Sequence, residues 1–473
     1  MSRSPFATRG VAEAFYGLFY TFPERNDLIR FIGRHGYNLY IYGPKNDRQH
    51  RARWWEPYPD EVMGQFAETA ALARRAGVTF CYALAPISAT STDDLDRITA
   101  KLRAFYERGV RSFSLFLDDI AGPVQEGAQR LIYHPFAQLH VELGNRVHDW
   151  LRALDPACTL SFCPAEYHGA PPFGAYLHEL GARLHPAIDL FYTGPAICST
   201  TIAAADARGF AAAAGRPPLI WDNYPVNDLA MRGDLHVGPI QGRDAALGGA
   251  ARGLVVNTMS QAEASKIALL TFAEYFADPA GYAPWPAWGR ALREVGGEHS
   301  CAALRQFAEH SLRSCLHPAA APALDRLVGR SMAALCAGEP PSRSAALHEL
   351  SAHIERQDEA NYALKHRMAN LALRAELTPW IEALDDWVWL AKRAILVLQA
   401  LERGAPYGQP LRGLEESIEL VRSHHKRIAG DALLELADYA RKTAAQGAAA
   451  AETESGAKGA GATISNINLS NHR

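Results

Sequence analysis

Several features that would mark a nucleic-acid-binding, secreted or membrane protein are missing from this 473-residue sequence. The net charge is −3 and no stretch concentrates basic residues, which argues against a nucleic-acid partner. The first ten residues contain no apolar run after their positive charge, so we expect no secretory signal. The apolar stretch at 395–398 is too short and too closely flanked by charge to span a bilayer. We therefore expect a cytoplasmic protein with no membrane partner.

Cysteine, histidine and glycine patterns that build common sites are also missing. The seven cysteines are odd in number, widely spaced and include no Cys-x-x-Cys pair, which favours buried reduced thiols. His50 and His168 lie near the motifs described below, but no spacing of potential ligands predicts a metal site. We expect neither a metal nor a cofactor.

A repeated strand–helix pattern is present instead. Amphipathic helical segments end in a glycine, at Gly36, Gly77, Gly109 and Gly253, and an apolar strand follows directly. Eight such strands are predicted, at residues 10–16, 37–43, 78–85, 112–118, 158–163, 188–193, 218–222 and 253–257. Eight alternating units predict an α/β fold, a (β/α)8 TIM barrel. The alternative, an open doubly wound sheet, would be favoured by a Gly-rich phosphate loop after the first strand, and none is present.

Two adjacent carboxylates, Asp118 and Asp119, end the apolar run that begins at Phe113. Buried acids at a strand end are costly unless they face a cleft, form a pair or take part in chemistry. Neighbouring carboxylates also shift each other's pKa, which can supply a general acid near neutral pH. The alternative is structural, with one Asp capping the next segment and the other in a salt bridge.

Polar residues follow most of the other predicted strands, while the strand interiors are apolar. Examples are Lys45, Glu166, Asn223 and Asn257. Barrel enzymes place their catalytic groups at the carboxyl ends of the strands. This distribution favours a catalytic role for Asp118 and Asp119 over the structural alternative.

Eight motifs, in order, resemble those of the family 84 glycoside hydrolases, the β-N-acetylglucosaminidases that include O-GlcNAcases. Together they cover roughly residues 10–280 and are far more specific than the Asp-Asp pair alone. The motifs are Gly10–Gly17, Tyr40–Asp47, Trp54–Tyr58, Leu117–Ile120, Cys163–Tyr167, Tyr192–Pro195, Trp221–Asn223 with Asn227-Asp228, and Asn257 with Gln261–Ala264.

The resemblance implies a retaining, substrate-assisted reaction, in which the sugar's 2-acetamido oxygen attacks the anomeric carbon and forms an oxazoline. Asp118 would orient and polarise the acetamido group. Asp119 would protonate the leaving oxygen and then deprotonate water. Neighbours on a regular strand point to opposite faces, so we predict that the strand ends or bulges at this pair.

The resemblance also implies a set of sugar contacts. Lys45 would hold a ring hydroxyl, Tyr167 would donate to the acetamido oxygen, and Asn223 would bond the acetamido group or steady Asp119. Asp228 and Asn257 would bind the 4- and 6-hydroxyls. Each position also has a structural alternative, a surface Lys or a buried Tyr for example. The remaining substrate-site candidates are Trp221 and Ala14. We expect Glu13 and Glu166 to orient the site and Asp222 to be structural.

Ala14 is a departure from the family pattern, because the family commonly has Gly there, with a backbone carbonyl that meets the sugar. That contact survives only if the φ angle of Ala14 is negative. Trp221 would pack against the acetamido methyl group of the sugar. An alternative interpretation, equally consistent with the sequence, is that Trp221 is an ordinary core residue.

Helical periodicity alone follows the barrel, which predicts an all-α helical bundle domain. The expected divisions are an N-terminal tail at 1–9, the catalytic barrel at 10–285, the bundle at 290–445 and a disordered tail at 446–473. The bundle could also form a homodimer.

The expected function is removal of terminal β-linked GlcNAc from Ser or Thr of proteins. The alternatives are hydrolysis of GlcNAc-containing glycan or cell-wall fragments, and a non-catalytic sugar-binding barrel.

Overall fold

The computed structural model describes residues 4–87, 94–118 and 134–462. The chain divides into two compact units. Unit one comprises Met1–Cys301, Leu312–Pro318 and Asn370–Glu376, and unit two comprises Ala302–Ser311, Ala319–Ala369 and Leu377–Arg473.

Unit one contains a closed barrel of eight parallel strands in sequence order, which confirms the predicted fold. The last strand pairs with the first, with Val256 opposite Val11, and this pairing leaves no strand edge in the sheet. The strands are β1 Thr8–Glu13, β2 Leu39–Tyr42, β3 Thr79–Leu84, β4 Ser112–Phe116, β5 Thr159–Cys163, β6 Asp189–Tyr192, β7 Leu219–Asp222 and β8 Gly253–Asn257.

α-Helices connect consecutive strands as far as β7, and more α-helices follow β8. Between β7 and β8 there are instead two short 3₁₀ segments, Leu229–Met231 and Leu247–Gly249. The α-helices are α1 Phe22–Arg34, α2 Asp60–Arg75, α3 Leu95–Tyr106, α4 His134–Leu154, α5 Ala175–Arg183, α6 Ala204–Ala214, α7 Ala262–Ala277 and α8 Pro284–Gly296. Helix α1 begins with a capping box, in which the Thr21 side chain accepts from the Glu24 N–H and the Glu24 carboxylate accepts from the Thr21 N–H. Three of the predicted helix-closing glycines, Gly36, Gly77 and Gly109, have φ of +80°, +73° and +89°.

The fourth of those glycines was interpreted wrongly. Gly253 does not close a helix but is the first residue of β8, preceded by the 3₁₀ turn Leu247–Gly249. A Cβ there would collide with the backbone carbonyl oxygen of Thr8 on the neighbouring strand. The glycine is thus required by close strand packing rather than by a left-handed turn.

Small and large side chains fill the inside of the barrel. Ala12, Ala83, Phe116 and Val255 belong to one buried cluster that reaches up to Trp221 at the end of β7. Because this cluster fills the centre, the open space lies at the carboxyl ends of the strands, above it. The barrel strands position the site residues that follow each of them.

Strand β4 ends earlier than predicted. It stops at Phe116, and Asp118 lies in a turn two residues further on. The alternation of a regular strand therefore no longer dictates where the Asp118 side chain points. Asp119 lies outside the described residues.

The regular secondary structure of unit two is entirely helical within its described residues, as predicted. Its segments come from α9 Cys301–Ala308, α10 Pro322–Ala337, α11 Pro340–Arg367, α12 Leu371–Glu402, α13 Gly408–Ser423 and α14 Ala432–Ala462. The tail expected to be disordered from residue 446 is instead helical as far as Ala462. Alanine has the highest helix propensity, which explains why this Ala-rich stretch extends the helix. Among the described residues, none of these helices, nor those of unit one, is long and apolar enough to cross a membrane.

Candidate active site

A cavity of about 380 Å³ opens at the carboxyl ends of the barrel strands. Every described residue that the sequence assigned to catalysis or sugar binding contributes to its lining. These are Ala14, Lys45, Asp118, Tyr167, Trp221, Asn223, Asp228 and Asn257.

One side of the cavity carries an ion pair. The Lys45 ammonium lies 3.0 Å from Oδ2 of Asp118, and the two side chains are 11% and 14% exposed. Lys45 follows β2 through Pro44, and its N–H donates to the Phe15 carbonyl of the loop after β1. The ammonium also lies 5.7 Å from the centre of the Phe116 ring. Lys45 thus places a cation beside the Asp118 carboxylate at the cavity wall.

An amide cluster forms the facing side. Oδ1 of Asn223 accepts from the Trp221 indole N–H at 2.9 Å and from Nδ2 of Asn257 at 3.0 Å. Nδ2 of Asn223 donates to the Ile197 carbonyl at 2.9 Å. Within the described part of the chain, the buried Oδ1 of Asn257 accepts no hydrogen bond. A buried acceptor without a partner is costly, so this oxygen is suited to a hydroxyl or N–H of a ligand.

Asp228 joins the loop after β7 to the loop after β1. Its Oδ2 accepts from the backbone N–H of Tyr16 at 2.8 Å. Burial raises the pKa of the Asp228 carboxyl, although the Tyr16 N–H and the Lys45 charge oppose the shift. The carboxylate has further lone pairs, which can accept from ligand hydroxyls.

Trp221 serves both the core and the cavity, so its two readings are compatible. It is 9% exposed, and its ring lies edge-on to Phe116 and Phe191.

Tyr167 lines the cavity, and its carbonyl accepts from the N–H of Thr193, another lining residue. Ala14 is buried, and it is not one of the two non-glycine residues with positive φ in the described ranges, Leu229 and Ala429. The backbone geometry required for the Gly-to-Ala departure is therefore met.

The acids expected to support the site are engaged elsewhere. Glu13 binds Arg25 through both oxygens, at 2.8 and 3.0 Å, and also accepts from the Tyr40 hydroxyl. Asp222 binds Arg243 in the same two-fold way, at 2.7 and 2.6 Å. Glu166 accepts from the Gly174 N–H at 2.8 Å. None of these three contributes to the cavity lining as described.

His50 is buried behind the site and does not form a metal centre with its neighbours. One ring nitrogen lies 2.8 Å from the Ala83 carbonyl, and burial lowers the pKa of the imidazole to about 4. Burial likewise lowers the pKa of His168. Within the described ranges, no group of three His, Cys, Asp or Glu side chains could hold a metal ion.

Several lining residues were missed by the sequence interpretation. They are Phe116, Cys163, Ile197, Cys198, Val226, Leu229, Ala230 and Met231. Phe116 and Cys163 are the last residues of their strands, so the strand-end rule could have found them. Leu229–Met231 form a short 3₁₀ helix and the other three lie in loops, and no spacing or residue type distinguishes any of them. Burial raises the pKa of the Cys198 thiol to about 11.

A closed parallel barrel with ionisable and amide side chains gathered at its carboxyl face is the architecture of a barrel enzyme. A family model described as beta-N-acetylglucosaminidase matches residues 9–309. The chain therefore belongs to this family, the glycoside hydrolases of family 84.

Two curated relatives carry the name Protein O-GlcNAcase, from Rattus norvegicus and Mus musculus. Each is 30% identical over 275 residues, which is 56% of this chain. The matched region spans 30% of the length of those relatives.

Solved structures resemble nearly the whole chain. A mutant of the O-GlcNAc hydrolase of Thermobaculum terrenum is 28% identical, with a TM-score of 0.86 and coverage of 95% of this chain and 97% of that one. CpGH84B, at 24% identity and a TM-score of 0.82, covers 93% of this chain and 77% of its own and shows the same fold.

Proposed function

We propose that the chain is a retaining β-N-acetylglucosaminidase that removes terminal β-linked GlcNAc from Ser or Thr of proteins by substrate-assisted catalysis. The observation that carries the proposal is the single cavity that gathers Asp118, Lys45, Asn223, Asp228 and Asn257. Family membership supports the glycosidase chemistry, and the names of the rat, mouse and Thermobaculum relatives support the protein-linked substrate.

Asp118 is the group assigned to the acetamido arm of the sugar. As a carboxylate held beside Lys45, it would accept the acetamido N–H and stabilise the positive charge that develops as the carbonyl oxygen attacks C1. The C1–oxygen bond to the aglycone breaks as the new ring closes, so the enzyme needs no nucleophile of its own.

Asp119 is assigned the proton transfers. It would donate a proton to the departing oxygen of the aglycone and then remove one from the water that opens the oxazoline. These two transfers balance, and the carboxyl returns to its starting state after one turnover.

The opposite wall would bind the rest of the sugar. The unpartnered Oδ1 of Asn257 can accept from one hydroxyl, and the Asp228 carboxylate can accept from another. Trp221 is held by its bond to Asn223 and presents an apolar face on which the acetamido methyl could pack.

Hydrolysis of an aryl β-GlcNAc by wild type, Asp118→Asn and Asp119→Asn tests the two roles. Both variants should lose most activity, a loss of roughly 10²-fold or more for each group. Asp119→Asn should retain more activity on a good leaving group than on a poor one, because protonation matters less there. Asp118→Asn should show no such recovery. Asp149→Asn, an exposed acid on α4, is the matched control and should be unaffected.

Equal loss by Asp119→Asn on good and poor leaving groups would contradict its assignment as general acid. A second comparison addresses the natural substrate. We expect faster release of GlcNAc from modified peptides than from chitobiose. Preference for chitobiose would instead support the glycan-fragment alternative.

A further inference from the structure

Unit one contains a second cavity that the proposed reaction does not use. It lies between α1, α2 and the loops that follow β1 and β2, and its volume is about 590 Å³, larger than the 380 Å³ of the catalytic cavity. Volumes of this size are typical of sites for small organic ligands.

The two cavities share the same two loops. In the loop after β1, Tyr16 lines the catalytic cavity and Phe19 lines the second one. In the loop after β2, the same holds for Lys45 and Asp47. The Gly17 N–H donates to the Asn46 side chain at 3.1 Å and ties the loops together. The second cavity therefore lies directly beside the first, on the other side of these loops.

The charged groups at this cavity are already compensated. The Arg25 guanidinium is paired with Glu13 through two bonds. Asp47 accepts from the Tyr42 and Tyr58 hydroxyls at Oδ2, both at 2.6 Å, and from two backbone N–H groups at Oδ1. Burial raises the pKa of both tyrosines, so they stay protonated and keep donating. Such a site favours an uncharged ligand.

Polar groups nevertheless remain available to a ligand. Nη1 of Arg25, a residue only 1% exposed, donates to no atom of the described residues. The side-chain amides of Gln49 and Gln65, both half-buried, likewise bond to nothing in the described part of the chain. One guanidinium edge and two amides can together donate to and accept from several hydroxyl groups.

Aromatic rings form the remaining walls. Phe66 lies at the centre, with ring-centre distances of 5.1 Å to Phe22, 4.9 Å to Tyr42 and 5.3 Å to Tyr58. Phe19 lies at the opening and is 40% exposed. Flat apolar walls suit the C–H face of a ring, while free amides suit hydroxyls at its edge.

We propose that this cavity is a second carbohydrate site, which binds the pyranose ring of a neutral sugar. A pyranose combines an apolar face with hydroxyls around its edge and carries no charge, and this is the combination that the lining provides. The carboxylate of an acidic sugar would be repelled by the nearby carboxylates of Asp47 and Glu13. A proline or phenylalanine side chain would leave the two amides and the guanidinium edge without hydrogen-bond partners.

Ligand-observed saturation-transfer NMR with methyl β-glucopyranoside and cellobiose tests the site. Both probes lack the 2-acetamido group on which the proposed reaction depends. We expect both to bind the wild-type protein. Gln49→Ala and Gln65→Ala should each weaken binding about 5-fold, and the double variant about 25-fold, because each amide contributes one or two hydrogen bonds. Neither side chain has a partner to lose, so the variants should fold normally and hydrolyse aryl β-GlcNAc at the wild-type rate.

Gln399→Ala, at a half-buried glutamine on α12 outside the cavity, is the matched control and should bind the probes like wild type. The proposal would be overturned by no saturation transfer to either probe, or by unchanged binding in the double variant. It would also be overturned by loss of binding in Asp228→Asn instead, which would place the probes in the catalytic cavity. Stronger binding of glucuronate or of acetyl-prolinamide than of the neutral glycosides would equally exclude it.

Discussion

Replacing Arg243 should disturb the candidate active-site cavity at the barrel strand ends, although Arg243 does not line that cavity. Arg243 holds Asp222, the last residue of β7, through two bonds, and both side chains are 1% exposed. It also donates to the carbonyls of Thr200 and Gln241 at 3.0 Å. Asp222 lies between Trp221 and Asn223, so the pair fixes the strand end that carries two cavity residues.

The size of the effect follows from this burial. Burial alone would lower the pKa of Arg243, but the Asp222 carboxylate outweighs it and the pKa is raised. Arg243→Met leaves the carboxylate buried without a cation and frees two carbonyls, which should cost about 3–5 kcal/mol of the free energy of unfolding. Asp222→Asn combined with Arg243→Met removes both charges and should cost about 1–2 kcal/mol. Arg252→Met breaks a solvent-accessible pair with Asp189, in which the two side chains are 59% and 32% exposed, and should cost about 1 kcal/mol.

Urea unfolding at 25 °C and steady-state hydrolysis of an aryl β-GlcNAc measure the two consequences. We expect kcat/KM to fall about tenfold in Arg243→Met, on the order of 1.4 kcal/mol, and to recover largely in the double variant. The reasoning is refuted if Arg243→Met unfolds no more easily than Arg252→Met. It is also refuted if activity fails to return once both charges are gone.

Two further predictions concern stability. Because the pKa of His50 is about 4 when folded and 6.5 when exposed, its contribution to stability is present above pH 6.5 and is lost as the pH falls. Wild type should therefore lose up to roughly 3 kcal/mol more than His50→Gln between pH 6.5 and 4, and parallel urea curves for the two proteins would contradict this. Leu229 has φ of +50°, which costs a non-glycine residue about 1 kcal/mol, so Leu229→Gly should raise the melting temperature. Leu18→Gly, at an exposed leucine without positive φ, is the control and should lower it; equal shifts in both variants would exclude relief of strain.

The fold could be predicted because each unit of the barrel repeats the same local signals. An apolar run marks the strand, and a glycine such as Gly36 or Gly77 closes the helix before it. These signals are local in the chain. The prediction was wrong where one residue type has two uses, as at Gly253, where the absence of a side chain serves strand packing.

Part of the cavity lining could also be predicted, because residues that follow parallel strands meet at one face. Lys45 and Asn257 are more than 200 residues apart and yet line one cavity. The bonds inside the site were not predictable. Nothing in the sequence shows that Asn223 connects Trp221, Asn257 and the Ile197 carbonyl, since that depends on the relative position of three loops. The positive φ of Leu229 likewise has no signal in its residue type.

Three of the acids at or just past the barrel's strand ends are in ion pairs, and their cations differ. Glu13 and Asp222 are each locked to a planar guanidinium by two bonds, whereas Asp118 meets the single ammonium of Lys45. The ammonium of a lysine lies on a flexible side chain and can turn toward an incoming hydroxyl. A guanidinium that makes two hydrogen bonds to one carboxylate must break both of them to move. Of these three ion pairs, two are therefore fixed in geometry, and the pair that an arriving molecule can most readily rearrange is the one at which the chemistry is proposed to occur.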